Sequence, residues 1–166
     1  MTHRSRLSGV VAALLFLAAA ACQKASPPAP APVPAPEAYK PGLGELMSFQ
    51  QMRHAKLALA VDAQNWKLAA YEVKEIKEGF DDIVALHPTW KDAPVAPKDA
   101  IPIMMNDPIE QVRAAIDKKD PKAFAESYQN LTNGCNACHQ ATNFAFIVLQ
   151  RPKTNPFPNQ VFTPEK

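Results

Sequence analysis

Residues 66 to 86 read WKLAAYEVKEIKEGFDDIVAL. In this stretch Trp66, Ala69, Val73, Ile76, Phe80 and Ile83 recur in steps of three and four, which lines them along one face of a helix. The helix must stop by His87, because Pro88 disfavours a helical residue before it. Upstream, Leu43, Leu46, Met47, Gln50, His54, Leu57, Ala58 and Val61 keep the same spacing, so an earlier helix starts near Gly42. Downstream, Pro88, Pro94, Pro97 and Pro102 mark residues 88–106 as a long loop, of a length that often packs against something functional. Asp107-Pro108-Ile109-Glu110 then reads as a helix start, with Asp as N-cap, Pro at the first helical position and Glu placed for a capping box. Ile109, Val112 and Ile116 supply the apolar side of that short third helix. Asp120-Pro121 repeats the start signal, and Phe124, Tyr128, Leu131, Cys135 and Cys138 fall on the inner side of a fourth helix that ends by Arg151, before Pro152. The expectation is an all-α four-helix bundle over residues 42–151, followed by a Pro-rich tail, 152–166, with Phe157 and Phe162 as apolar anchors.

Composition agrees with helices joined by proline-rich connectors: 17 Pro, 5 Gly, and no Val/Ile-rich alternating runs. Lys and Arg number 18 against 16 Asp and Glu, a net charge of +2, which provides no basic field for nucleic acid. The start of the chain reads as an export signal over residues 1–21. Arg4 and Arg6 precede the apolar run Leu7–Ala21, which at about 15 residues is short of the roughly 20 that a membrane span needs. Ala19-Ala20-Ala21-Cys22 resembles a bacterial lipobox, which implies lipidation of Cys22; ordinary cleavage after the Ala run is the alternative. Residues 22–41 are dominated by Pro and Ala, an extended spacer reaching on the order of 50 Å. Such a tether suits a periplasmic domain held off a membrane. Gln23, standing where Asp would suggest inner-membrane retention, leans toward the outer membrane by the same resemblance.

Cys135-Asn136-Ala137-Cys138-His139 is C-x-x-C-H, the attachment signature of haem c. Two sulfurs three residues apart project from nearly the same side of a helix and can bond the two vinyl groups on one haem edge. His139, next in the chain, can bring an imidazole under the iron. A thioredoxin-like redox pair would need a strand–helix setting, and a zinc site would need further ligands. A structural disulfide gives no reason for the adjacent His.

A haem motif on the last of four helices resembles the class II c-type cytochromes, the cytochrome c′ family and its low-spin relatives. The resemblance covers Gly42 to about Gln150, and only the motif matches specifically. It implies one covalent haem held by Cys135 and Cys138, His139 as proximal iron ligand, and a distal haem face against the first helix. That helix offers His54 as first candidate for the distal ligand and Met47 as second. A five-coordinate iron is the alternative, with His54 hydrogen-bonded instead, for example to Gln50. Met104 and Met105 sit in the expected loop, within reach of the haem edge, and His87 reads as a loop or propionate-contact residue.

The leading expectation is a non-enzymatic, membrane-anchored carrier that passes single electrons between redox partner proteins. Binding of NO or CO at an open iron is the runner-up. A haem peroxidase using His54, and a structural helical lipoprotein, are further alternatives. The resemblance also implies pairing of two copies through their first helices as one arrangement.

Overall fold

The computed structural model describes residues 38–91 and 93–164. The export signal, Cys22 and most of the Pro/Ala spacer lie outside the described residues. Four helices and no strand form among the described residues: α1 (Leu43–Asp62), α2 (Trp66–Leu86), α3 (Pro97–Asp117) and α4 (Pro121–Ala141). None is long and apolar enough to cross a membrane.

Neighbouring helices pack in chain order, α1 on α2, α2 on α3 and α3 on α4. In α2, Ala69, Val73, Ile76, Phe80 and Ile83 are buried and Trp66 partly so, against Leu57, Ala58 and Val61 of α1 and Ile101, Met105 and Ile109 of α3 in one core. Full burial of each large aliphatic side chain contributes about 1.5–3 kcal/mol. Asn65 caps α2 by accepting from Leu68 N–H at 3.1 Å, and Asp120 caps α4 by accepting from Lys122 N–H and Ala123 N–H. Gly79 lets α1 side chains cross α2: a Cβ there would collide with the ends of Gln50 and Arg53. Arg53 donates to the Glu75 carbonyl at 2.9 Å and pairs with its carboxylate.

Two expectations are corrected. Residues 97–106 are not loop, and Asp107 is not a cap, because α3 runs unbroken from Pro97 to Asp117 with Pro102 and Pro108 inside it. An interior proline removes a hydrogen bond and costs about 3 kcal/mol or more. Here the cost is offset because Ile101, Met105, Ile109, Val112 and Ile116 form one continuous buried stripe across both prolines. The true helix start is Pro97 at the first position, and only the stretch from Pro88 to Ala96 remains a connector.

The last helix ends at Ala141, within the limit that Pro152 sets. Asn143 takes a left-handed conformation (φ 66°) and Phe144 N–H donates back to the His139 carbonyl at 2.7 Å, a Schellman-type stop in which Asn stands in for the usual Gly. The chain then returns along α4, and the tail is anchored by Phe162, buried, whose carbonyl accepts from Asn65 Nδ2.

Candidate functional site

Pro108 carries no N–H, so the Met104 carbonyl has no partner four residues on in α3. Gly134 of α4 sits against that carbonyl: a Cβ at Gly134 would lie 2.7 Å from the Met104 oxygen. The close approach fixes α4 on α3 one residue before Cys135.

From there the C-terminal half of α4 faces the N-terminal half of α1 across a cavity of about 260 Å³. Cys135, Cys138 and His139 form its α4 wall, and Met47, Gln50 and His54 stand on the α1 wall. Ile76 and Phe80 of α2, and Ile101 and Met105 of α3, close the back. Trp90 from the connector and Phe144, Ile147 and Leu149 from the returning segment complete a mainly apolar lining. Met105, expected in a loop, thus reaches the site from within a helix, whereas Met104 is partly buried outside the lining.

Both thiols are free, Cys138 buried and Cys135 partly so. Burial pushes the Cys135 thiol up to about 12, with neighbouring Cys138 adding to it, and burial raises Cys138 as well. The pair is therefore protonated at neutral pH. Among the described residues no group of three or more His, Cys, Asp or Glu side chains is gathered as a bare metal site would need.

His139 is oriented by backbone. Its Nδ1 lies 2.8 Å from the Ile147 carbonyl, which can only accept, so Nδ1 carries the proton and the Nε2 lone pair is left available. The Ile147 carbonyl is held in reach by the next turn of the returning chain, where Asn136 accepts from Leu149 N–H at 2.8 Å and donates to Leu149 C=O at 3.0 Å. Sequence reasoning passed over Asn136. Its signal was its place inside the motif, three residues before His139 and so on the same helix face.

His54 lies at the floor of the cavity and is buried. Thr132 Oγ1 is 2.8 Å from its Nε2 and the Tyr128 hydroxyl 3.0 Å from its Nδ1. Whichever nitrogen holds the proton of the neutral ring, the other meets a hydroxyl. Gln50 is not its partner, because the Gln50 amide donates to the Ile76 carbonyl at 3.1 Å. Burial lowers the His54 pKa to about 4, and the Arg151 guanidinium adds to this from above the Tyr128 ring. His87 is spent on the Pro41 carbonyl, 2.8 Å from its Nε2.

This arrangement brings Cys135, Cys138, His139, Met47 and His54 to one cavity, and the engaged ring separates His54 from the open donors. The donor set on the wall of this mainly apolar cavity is two thiols and one imidazole whose Nε2 is unengaged. No family model, curated protein or solved structure matches the chain.

Proposed function

We propose that the chain is an exported monohaem c-type cytochrome that transfers single electrons between redox partner proteins and is tethered to a membrane through Cys22. The carrying observation is the joint placement of two protonated thiols and an imidazole with a free Nε2 on the wall of one apolar cavity. Cys135 and Cys138 would hold a haem covalently, each S–H being able to add across one vinyl group without an oxidant. The bound haem supplies an iron that cycles between two oxidation states one electron apart.

The chain's own residues account for the rest. His139 offers Nε2 to the iron, and the Ile147 carbonyl keeps Nδ1 protonated and the ring oriented. The apolar wall limits water around the group. For a second donor to that group, Met47 would serve better than His54. Starting from the His54–Thr132 contact, seven residues toward the α1 N-terminus lead to Met47 and seven toward the α4 C-terminus lead to His139. At about 1.5 Å per residue both lie about 10 Å up the cavity, at a common level. His54 would have to give up a hydroxyl partner to ligate, whereas the Met47 thioether has none to lose.

Optical spectra of the ferric and ferrous chain, with and without CO, test this reading. The wild type is expected to be low-spin and slow to take up CO, and Met47→Ala to turn high-spin and bind it rapidly. Rapid CO uptake by the wild type would replace the carrier reading with gas binding at an open iron.

A further inference from the structure

Asn136 occupies a position in C-x-x-C-H that the attachment chemistry leaves open, yet it makes two of the hydrogen bonds that shape the site. Its side chain joins Leu149 through both main-chain groups, accepting from N–H at 2.8 Å and donating to C=O at 3.0 Å. An amide has one donor end and one acceptor end, so it can pair with a backbone residue as a neighbouring strand would. Asn136 and His139 are three residues apart on α4 and share a face. Leu149 and Ile147 are two residues apart on the returning chain, and carbonyls at that spacing on an extended segment point the same way. The two pairs therefore match: when Leu149 is fixed on Asn136, the Ile147 carbonyl falls on His139 Nδ1 at 2.8 Å.

Other contacts hold the segment as a whole: Arg151, two residues on, pairs with Asp62 and lies over the Phe124 and Tyr128 rings, and Ile147 and Leu149 line the cavity. Only Asn136, however, makes side-chain hydrogen bonds to the Leu149 backbone and so sets the register. Phe146 and Val148 are 80 % and 73 % exposed, and the left-handed Asn143 lets the chain leave the helix in this direction. Only the Phe144 N–H bond to the His139 carbonyl and the Ile147 N–H bond to the Phe144 carbonyl shape the turn before it.

We propose that Asn136 is the positioning residue of the proximal side, acting through the 147–149 backbone to hold the His139 tautomer and ring plane and so to tune the electron density that the imidazole delivers. The tuning part rests on the haem reading above; the clamp itself does not. Without it the Ile147 carbonyl drifts from Nδ1, the imidazole loses anionic character, and the oxidised iron is less stabilised.

The test compares wild type, Asn136→Ala and Asn136→Asp in the full chain produced with haem-attachment machinery. Asn136→Ala is expected to keep both thioethers, to raise the midpoint potential, and to speed hydrogen exchange of the Leu149 amide by about tenfold or more. Asn136→Asp keeps an acceptor for Leu149 N–H but faces its carbonyl with another oxygen, so its potential should fall between the other two. An unchanged potential in Asn136→Ala, even with a lower melting temperature, would reduce Asn136 to a structural residue and overturn the proposal. If the wild type itself carries no haem, the haem reading fails alone and exchange decides the clamp: faster exchange at Leu149 in Asn136→Ala upholds it, and unchanged exchange removes it.

Discussion

Acid should weaken this fold through one residue, His54. The ring is buried and neutral, and burial lowers its pKa from 6.5 to about 4. In the unfolded chain it regains its ordinary value. As pH falls below 6.5 the unfolded state takes up a proton that the native state refuses until about 4, so the unfolded state binds more protons across that window. Stability from this group is complete above pH 6.5 and is lost as pH falls toward 4. At about 1.4 kcal/mol per pH unit, the gap corresponds to about 3 kcal/mol. His54→Leu removes the titrating ring with limited further damage. With the ring gone, the Thr132 hydroxyl can donate to the Tyr128 carbonyl, 2.9 Å away, and the Tyr128 hydroxyl to the main-chain carbonyl of residue 54, 3.0 Å away, so neither is left without an acceptor. Urea unfolding of both proteins at half-unit steps from pH 8 to 4 measures the effect. The wild type should lose about 3 kcal/mol more than the variant, with the difference confined to the window below 6.5. Parallel curves would show that His54 is not buried as a neutral ring and would refute the argument.

Gly134→Ala should destabilise by about 1–3 kcal/mol, because its Cβ meets the Met104 carbonyl, which is backbone and cannot swing aside. Gly44→Ala, with nothing within 4 Å, should be neutral or stabilising, and urea midpoints of the two variants provide the contrast. Cys138→Ser should retain haem through Cys135 alone, seen as a pyridine haemochrome band displaced to longer wavelength; an undisplaced band would remove Cys138 from the site.

Much of the scaffold was legible because burial follows spacing. The 66–86 stretch is α2, stopping before His87 as expected, and its three-and-four stripe from Ala69 to Ile83 is the buried face. The reading failed at Pro102 and Pro108, where local breaker signals outvoted a longer pattern. Ile101, Met105, Ile109, Val112 and Ile116 continue in steps of three and four through both prolines, and tertiary burial decided in favour of the stripe. Pro152 gave only the latest possible end of α4; its actual stop is a left-handed Asn nine residues earlier, a weaker signal in sequence. At the site, the motif named the thiols and His139, and helix periodicity named Met47 and His54. Periodicity cannot say what a side chain meets across the bundle. The Thr132 and Tyr128 hydroxyls that engage His54, and the Asn136 amide that fixes the returning chain, come from pairings 74 to 78 and 13 residues apart.

The most direct measurement is the intact mass of the purified chain, expressed in a host with haem-attachment machinery and analysed after denaturation in acid. A covalent haem bonded through Cys135 and Cys138 predicts the mass of the processed polypeptide plus one haem, with the added group retained by the peptide containing residues 135–139. A mass equal to the bare polypeptide would contradict the account at its centre.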